Sequence, residues 1–340
     1  MEMGGLMKIY ITGIAGFLGS HLADWFLERG HTVVGCDNLS GGVITNVPDK
    51  AKCYIYDMTS SDINGYATQM IGCDVVYHCA AMPYEGVSVF SPAFISDNIF
   101  SGSINTFTAA IMAKCSRIVY CSSMARYGTN LVPFAEYQTP KPQDPYGIAK
   151  EAAERTLKML GNVHGIEYVV AVPHNIYGPR QRYWDPYRNV ASIMANLLLQ
   201  GRPPIIYGDG TQQRCFSYIS DCIDCLAKLA FDDVAGETIN IGPDEEFVTI
   251  NQLADILSEI TGTNFDPIYM PDRPQEVKLA FCSSYKARMI LGYKTEVFLH
   301  EGLERLVKWI KQEKPRAFQY HFDLEIKNEK TPETWLKRLF

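Results

Sequence analysis

The sequence predicts an α/β protein, with a doubly wound parallel sheet and a smaller, sequence-interleaved C-terminal lobe. Short, nearly continuous apolar runs alternate with amphipathic stretches through the first half of the chain, a pattern typical of parallel strands buried on both faces. A glycine-rich turn follows the first apolar run. Proline and glycine become frequent over residues 173–215, which indicates loops and short elements beyond the sheet.

The strands are predicted from short apolar or β-branched runs, and the helices from apolar residues spaced three or four apart. The predicted strands are Lys8–Thr12, His31–Cys36, Ala51–Tyr56, Val75–His78, Arg117–Ser122 and Tyr168–Val172. The predicted helices are Gly19–Arg29, Asn98–Lys114, Tyr146–Leu160, Asn251–Thr261 and His300–Gln312. Because strands alternate with helices, we expect right-handed crossovers between parallel strands.

Two parts of the chain are predicted to interleave. The sheet domain covers residues 1–174 and returns near 215–235 and 285–312. The smaller lobe is made mainly by residues 175–312, where proline and glycine punctuate short apolar runs. Residues 313–340 form a C-terminal extension. A single linker between the two parts is therefore not expected.

The extension has its own local patterns. Phe318–Ile326 is predicted as a strand. Thr331 is predicted as the N-cap of a short helix with Pro332 in its first turn, a common arrangement at helix starts. We expect the extension to brace the protein surface, and a part in a dimer or in a substrate lid is the alternative.

Composition and charge exclude several classes of protein. The chain has 340 residues, of which 47% are hydrophobic and 20% charged, and its formal net charge is −7. This balance excludes a disordered chain, and without a basic face no nucleic-acid partner is expected. No apolar run approaches the roughly 18 residues needed to cross a bilayer, and the first residues lack a leader pattern, so we expect a cytoplasmic protein without membrane contact.

The ten cysteines are scattered along the chain, as reduced thiols of cytosolic proteins are. Cys222 and Cys225 form the one close pair, and no second pair stands at the spacing of a zinc ribbon. We therefore assign this pair to the packing of a helix and expect no metal site.

Gly13, Gly16 and Gly19 lie between the first predicted strand and the first predicted helix. In that context the glycines permit a tight turn, the approach of a pyrophosphate to backbone N–H groups, and close packing of the helix on the sheet. Asp37 ends the second strand, where a carboxylate accepts hydrogen bonds from a ribose 2′-hydroxyl and repels a 2′-phosphate. Asn38 and the two residues after it bring no arginine, so the sequence predicts NAD rather than NADP.

Tyr146 and Lys150 are four residues apart on a predicted helix, so their side chains lie on one face. A lysine ammonium stabilises a phenolate, as a cationic nicotinamide does, and the tyrosine then acts as a general base near neutral pH. Ser122 and Ser123 follow the fifth strand, at the sheet edge where ligands of parallel sheets bind. Taken singly, these patterns also fit a surface contact or a turn.

In this order and context, the three motifs resemble the extended short-chain dehydrogenases/reductases, which have a Rossmann fold, and within them the NAD-dependent nucleotide-sugar epimerase/dehydratase family. The resemblance runs from about residue 7 to about residue 312. Its further motifs are Asp57-Met58, His78–Ala81, Asn98, Tyr127-Gly128, Pro173–Arg180, Tyr207–Gly210, Arg214–Asp221 and Arg273–Glu276.

The resemblance implies a role for each matching residue. The catalytic residues are expected to be Ser123, Tyr146 and Lys150. The residues expected at NAD are Gly13, Gly16, Phe17, Leu18, Gly19, Asp37, Asn38, Asp57, Met58, Ala80, Ala81, Asn98, Ser122, Tyr146, Lys150 and Pro173. The residues expected at a nucleotide-diphosphate sugar are Ser123, Tyr146, Asn175, Asn189, Tyr207, Arg214, Arg273, Glu276 and Ala280. Arginine suits a diphosphate because its guanidinium donates two parallel hydrogen bonds.

The resemblance also implies a reaction. Members of the family first oxidise a sugar hydroxyl, and its dehydratases then use an Asp–Glu pair, or its decarboxylases a Glu, just after the catalytic Ser or Thr. This chain has Met124 and Ala125 there, so elimination has no evident acid or base at that place. We therefore expect a UDP-hexose 4-epimerase that returns the hydride to the opposite face of a 4-keto sugar.

Other readings of the family resemblance stay open. A net nucleotide-sugar oxidoreductase, such as a keto-sugar reductase, would accumulate or consume NADH. A dehydratase, another lyase or a 3,5-epimerase would use acids or bases outside the motif. A non-catalytic NAD-binding scaffold is the remaining alternative, and the intact set of Ser123, Tyr146 and Lys150 argues against it.

Further expectations concern substrate breadth and assembly. A large tyrosine closes the sugar pocket of some 4-epimerases where this chain has Ala280, so N-acetylated sugars are expected to fit. Helices over Asn98–Lys114 and Tyr146–Leu160 match those that pair in dimeric relatives, which implies a homodimer with a four-helix bundle.

Two residues depart from the family pattern. Arg126 replaces a residue that is usually apolar, and Cys215 replaces a common aspartate. The sequence explains neither replacement.

Overall fold

The computed structural model describes residues 5–231 and 233–340. Residues 1–4, at the start of the predicted sheet domain, and residue 232, in its predicted return near 215–235, lie outside the described residues. The strands are β1 (Lys8–Thr12), β2 (Thr32–Asp37), β3 (Lys52–Ile55), β4 (Val75–His78), β5 (Arg117–Cys121), β6 (Glu167–Pro173), β7 (Ile176–Tyr177), β8 (Ile205–Tyr207), β9 (Gln213–Arg214), β10 (Ser217–Tyr218), β11 (Thr238–Ile241), β12 (Val248–Thr249), β13 (Ile268–Met270) and β14 (Leu279–Ala280). The helices are α1 (Phe17–Glu28), α2 (Ile63–Met70), α3 (Glu85–Ser88), α4 (Pro92–Ser96), α5 (Gly102–Met112), α6 (Pro145–His164), α7 (Val190–Leu199), α8 (Ile219–Lys228), α9 (Ile250–Thr261), α10 (Tyr285–Leu291), α11 (Leu299–Glu313) and α12 (Glu333–Leu336).

Seven parallel strands form the central sheet, in the order β11-β6-β5-β4-β1-β2-β3, with helices on both faces. The α/β fold class is confirmed, and the six predicted strands are present, with each end within one residue of the prediction. β11 is an addition to them. Its four residues include two polar ones, so it lacks the apolar run that predicts a strand, yet Asn240 is buried and accepts a hydrogen bond from the Tyr127 hydroxyl at 2.8 Å.

The strand order changes direction between β1 and β4, so the turns that leave these strands diverge and open a crevice at the carboxyl edge of the sheet. Thr12 ends β1 and pairs in register with His78, the last residue of β4. The Thr12 hydroxyl lies 2.8 Å from His78 Nδ1 and accepts a hydrogen bond from the Ala80 N–H at 3.1 Å. These buried contacts fix the spacing of the two turns that border the crevice.

The two helices beside β4 and β5 depart from their predicted bounds. α5 is regular only over Gly102–Met112, because a wider π-helical turn over Asp97–Ser101 precedes it. α6 begins earlier and ends later than predicted. Asp144 caps its start by accepting a hydrogen bond from the Gly147 N–H at 2.9 Å, and Gly165 ends it in the left-handed conformation.

In the smaller lobe, α7, α9 and α11 pack on one another within an apolar core that they share with one face of the central sheet. The lobe also carries the strand pair β8–β13 and the three-stranded sheet β12-β9-β14. The chain enters this lobe after β6 and returns to the central sheet at β11, so the two parts interleave. The division at residues 174 and 312 itself stays a prediction.

The extension is an irregular segment with one short helix. The strand predicted over Phe318–Ile326 is wrong: the segment has no strand partner, and its rings pack instead against cavity loops and α4. The predicted cap is also wrong, because α12 begins at Glu333 and Pro332 precedes it. The Thr331 hydroxyl accepts a hydrogen bond from the Asn328 N–H at 3.0 Å, which closes the turn before the helix.

None of the ten cysteines, all of which lie in the described residues, forms a disulfide, and Cys222 and Cys225 are buried on α8. Within residues 5–231 and 233–340, no group of three or more His, Cys, Asp or Glu side chains is placed to hold a metal ion. Over the same residues, no helix is long and apolar enough to cross a membrane.

Candidate active site

A cavity of about 480 Å³ opens at the carboxyl edge of the central sheet, between the sheet and the smaller lobe. This volume is in the usual range for small-molecule sites. The predicted site residues that line it are Gly13, Gly16, Phe17, Leu18, Gly19, Asp37, Asn38, Met58, Ala80, Ala81, Asn98, Ser122, Ser123, Tyr146, Lys150, Pro173, Asn175, Asn189, Tyr207, Arg214, Arg273 and Glu276. The fold therefore brings most of the predicted set to one cavity.

The glycine turn can follow its tight path only because it lacks side chains. A Cβ on Gly13 would lie 2.9 Å from the Ala80 backbone, and one on Gly19 would lie 2.2 Å from the Gly13 carbonyl oxygen. Gly13 also has a φ of +70°, which favours glycine. α1 starts after Gly16 without a side-chain cap, so its first N–H groups face the cavity mouth as pyrophosphate donors. These features fit a dinucleotide such as NAD.

Asp37 stands at the end of β2 and is almost fully buried. Its carboxylate accepts hydrogen bonds from the backbone N–H groups of Ala15 at 3.0 Å and Leu39 at 2.8 Å. Burial raises the pKa of this carboxyl, and these hydrogen bonds oppose the rise. Asp57 is not among the described residues that line the cavity. Its carboxylate accepts a hydrogen bond from the side-chain amide of Asn38 at 3.1 Å, and so it orients Asn38, which lines the cavity.

Two arginines of the smaller lobe reach the same region, which the sequence gives no means to foresee. Arg182 donates a hydrogen bond to the Ser40 carbonyl oxygen. The guanidinium of Arg188 lies close to Gly41: a Cβ atom on Gly41 would be 2.7 Å from Arg188 Nη2. Both are more than 140 residues from Ser40 along the chain. We therefore expect Asp37 to repel a 2′-phosphate in a region that otherwise has positive charge nearby.

We expect Asp37→Ala to weaken the preference for NAD over NADP, because the repelling carboxylate is lost while Arg182 and Arg188 stay. The check is calorimetric titration of cofactor-depleted protein with NAD and with NADP. Asp37→Asn is the matched control, since it keeps the shape and one acceptor without the charge. Equal affinity of the unaltered protein for both cofactors would contradict the ribose assignment.

The predicted catalytic residues converge at the middle of the cavity. Tyr146 stands in the first turn of α6, and Lys150 follows one turn later. Burial raises the pKa of the Tyr146 phenol, whereas its hydrogen bond with the Ser123 hydroxyl lowers it. Burial lowers the pKa of Lys150 to about 8, and its ammonium donates a hydrogen bond to the Cys121 carbonyl oxygen at 2.8 Å. This arrangement suits proton transfer with a substrate hydroxyl.

The two predicted diphosphate ligands are held side by side. Glu276 accepts hydrogen bonds from Arg273 Nε at 2.9 Å and from Arg214 Nη2 at 3.1 Å, so one carboxylate orients both guanidinium groups. Arg273 also lies over the ring of Tyr207, with 4.5 Å from its Cζ to the ring centroid. Two adjacent guanidinium groups match the charge and the spacing of a diphosphate.

Asn175 and Asn189 line the cavity but already hold the local backbone. Asn175 has a φ of +46°, and its amide donates to the Cys215 carbonyl oxygen at 2.9 Å. Asn189 caps α7 by accepting a hydrogen bond from the Ala191 N–H at 2.9 Å. The buried Cys215 thiol lies 2.7 Å from the Glu245 carbonyl oxygen and donates a hydrogen bond to it. An ionised aspartate at this position would have no proton to donate.

Ala280 is not among the described residues that line the cavity. It lies in β14, paired with Arg214, and its side chain is buried in the same apolar cluster as Cys282. Its role as a gate for N-acetylated sugars stays a prediction. Val277, three residues earlier, does line the cavity.

Three further polar groups lie near the site, and helical spacing indicates only one of them. Glu85 lines the cavity, and this residue is exposed there. Arg126 forms a buried ion pair with Glu154 at 2.9 Å, and the Ser122 hydroxyl donates to the same carboxylate. Glu154 stands one turn after Lys150 on α6, the one position that helical spacing could have indicated.

Comparison with known proteins gives consistent results. The NAD dependent epimerase/dehydratase family matches residues 9–242. A UDP-glucose 4-epimerase of Mycolicibacterium smegmatis is 31% identical over 314 residues, which cover 90% of this chain and 99% of that protein. A UDP-N-acetyl-alpha-D-glucosaminuronate decarboxylase of Bacillus cytotoxicus is 30% identical over 324 residues, which cover 90% of this chain and 98% of that protein.

The solved structures agree with the relatives. The crystal structure of UDP-glucose 4-epimerase with UDP-glucose from Thermotoga maritima has a TM-score of 0.84 and 32% identity to this chain, and it covers 90% of this chain and 99% of its own. The matched share of both chains shows that the two proteins have the same overall fold. The chain therefore belongs to the NAD dependent epimerase/dehydratase family of enzymes, with NAD as its cofactor.

Proposed function

We propose that the protein is a UDP-hexose 4-epimerase. The observation that carries this proposal is the shared cavity: Tyr146 and Ser123 line it together with Arg214 and Arg273, so a proton-transfer site and a diphosphate site open into one space. The names of the M. smegmatis and T. maritima relatives support the choice of UDP-hexose and of epimerisation at C4. The cytoplasmic location and the absence of other macromolecular partners stay expectations.

The residues of this chain divide the work of such a reaction. Tyr146 removes the proton of the C4 hydroxyl and later returns it, and Ser123 orients that hydroxyl. Lys150 favours the phenolate through its charge. NAD, when bound, supplies the acceptor and then the donor of the C4 hydride. Arg214 and Arg273 hold the diphosphate, so the keto sugar is free to turn over between the two transfers.

A reaction with an additional acid–base step is the second candidate, and Glu85 favours it. Its carboxyl is exposed in the cavity that Tyr146 also lines, so it is placed to exchange a proton with a bound substrate. Such a group could serve a dehydratase or a 3,5-epimerase, whereas Met124 and Ala125 offer none. The relative from B. cytotoxicus is named as a decarboxylase, so the family includes elimination chemistry.

The test is product analysis by proton NMR after incubation of purified protein with UDP-, GDP- and dTDP-sugars. We expect C4 inversion of UDP-glucose and UDP-galactose, with no net change in nicotinamide absorbance. Accumulated NADH would indicate a net oxidoreductase. Loss of water or of carbon dioxide, suppressed in Glu85→Gln, would support the second candidate instead.

We also propose a homodimer in which α5 and α6 form a four-helix bundle with their partners. Ile148, Met159 and Val163 are exposed on α6, with 53%, 60% and 71% of their surface accessible, and Met112 is exposed at the end of α5. Ile148, Met159 and Val163 lie along one stripe of α6, which the exposed Arg155 interrupts between Ile148 and Met159. A row of exposed apolar side chains on two adjacent helices suits an isologous contact.

Met159→Glu is expected to shift the protein from dimer to monomer, because it places a charge in that stripe without touching the cavity. Light scattering at micromolar concentration measures the mass. Lys158→Glu, the neighbouring residue outside the stripe, is the control. A monomeric mass for the unaltered protein would exclude the dimer.

A further inference from the structure

The extension, residues 313–340, is attached to both sides of the active-site cavity. On the sheet side, the Glu325 carboxylate accepts hydrogen bonds from two backbone N–H groups at the start of α4, at 2.8 and 3.0 Å. On the lobe side, Arg202 donates a hydrogen bond to the Leu339 carbonyl oxygen at 2.6 Å. The extension therefore spans the cleft between the two parts of the protein.

Between these attachments, rings of the extension pack on rings that line the cavity. The ring of Trp335 has its centroid 5.7 Å from that of Tyr187 and 6.5 Å from that of Tyr207. The Thr334 hydroxyl is hydrogen-bonded to the Tyr207 hydroxyl. Trp335 is 5% exposed, so this layer is part of the interior rather than a loose cover.

Among the described residues of the extension, Phe340 lines the cavity itself. Its side chain packs against the apolar cluster that contains Ile193 and Ile205, two residues that line the same cavity. Its ring centroid is 5.5 Å from that of Phe318, and its N–H donates to the Tyr320 hydroxyl at 3.2 Å. These contacts hold the Phe340 ring in the wall.

The order of groups along the cavity defines what Phe340 faces. Tyr146 marks the sugar position, and Arg214 and Arg273 mark the diphosphate. Arg273 lies over the ring of Tyr207, the last residue of β8. Ile205, the first residue of the same strand, belongs to the apolar cluster against which Phe340 packs. In a nucleotide sugar, the nucleoside is on the opposite side of the diphosphate from the sugar. The Phe340 end of the cavity is therefore the nucleoside end.

We propose that the Phe340 ring packs against the nucleobase of the bound nucleotide sugar and makes Phe340 a determinant of nucleotide affinity. The proposal rests on the proposed function for its substrate class. The family resemblance ends near residue 312, so the extension adds this wall to the shared core. A base stacked on an aromatic ring gains about five- to a hundredfold in affinity over one that is not.

The test compares UDP binding and turnover in Phe340→Ala and in Leu339→Ala, with NAD bound. Leu339 is the adjacent residue, and the hydrogen bond from Arg202 uses its backbone, so its truncation keeps the attachment of the extension. Calorimetry with UDP gives Kd, and initial rates with UDP-glucose give KM and kcat. We expect Phe340→Ala to raise both Kd and KM by at least about fivefold with little change in kcat, and Leu339→Ala to change none of them.

Phe340→Tyr keeps the ring and is expected to restore the affinity for UDP. Thermal melting of each variant confirms that the fold is intact. Equal UDP affinity in Phe340→Ala and the unaltered protein would overturn the proposal, even where epimerisation is observed. If UDP binding depends on Phe340 but no sugar is epimerised, the contact between Phe340 and the nucleobase is supported. The same result would overturn the epimerase reaction proposed above.

Discussion

Replacing Tyr146 with phenylalanine is expected to lower turnover by more than about a hundredfold, because the variant lacks the group that moves the proton. The phenol is buried at the start of α6, and its hydrogen bond with the Ser123 hydroxyl lowers a pKa that burial raises. A phenylalanine ring keeps the packing of that buried position. Initial rates with UDP-glucose measure the loss, and the amount of NAD carried by the purified variant shows whether the cofactor site is intact.

Two further variants separate the roles around the phenol. Ser123→Ala is expected to be milder, since Ser123 orients the hydroxyl and the proton still has an acceptor. Lys150→Ala is expected to be severe, because it removes the charge that favours the phenolate. Activity close to that of the unaltered protein in Tyr146→Phe, with NAD retained, would refute the catalytic assignment.

Glu154→Ala is expected to cost about 3–5 kcal/mol of the free energy of unfolding, the usual effect of removing one partner of a buried ion pair. Arg126 and Glu154 are 3% and 2% exposed, and their charged atoms are 2.9 Å apart. Without the carboxylate, the Arg126 charge stays buried and uncompensated. Denaturant unfolding measures this change in free energy. The dependence of the unfolding free energy on denaturant concentration is compared between variants to confirm that it is the same.

The matched control is the double variant Arg126→Leu with Glu154→Leu, which removes both charges and keeps apolar volume. We expect it to recover most of the lost stability, because no charge stays buried alone. A single variant as stable as the unaltered protein would show that the pair contributes little. The Ser122 hydroxyl also loses its acceptor in both variants, so turnover reports separately on the strand end that carries Ser123.

Local patterns predicted the parts of the fold that local physics determines. Apolar runs marked six strands, because parallel strands buried on both faces need apolar side chains on both. They missed β11, since Asn240 is buried through its hydrogen bond with Tyr127 rather than through apolarity. They also predicted a strand over Phe318–Ile326, where alternating rings pack on loops without any strand partner.

The same limit applies to the site. The glycine turn, Tyr146 and Lys150 are close in sequence to the elements that place them, so spacing predicted them. Glu85 begins the one-turn helix α3 and Arg188 lies in a loop, and no spacing rule links such short or irregular segments to a distant site. The role of Ala280 at the sugar stays a prediction, since its side chain is buried beside the strand of Arg214 and Val277 lines the cavity instead.

The attachment of Glu325 to α4 has a consequence for the order in which a growing polypeptide becomes functional. The two N–H groups that donate to the Glu325 carboxylate belong to residues 231 and 232 positions earlier in the chain. These donors are therefore synthesised long before the carboxylate that accepts their hydrogen bonds. The dinucleotide turn and Asp37 are complete within the first forty residues. On a ribosome, the dinucleotide turn and Asp37 are therefore made before the other expected cofactor residues, which continue to Pro173, and Glu325 and Phe340 follow all of these.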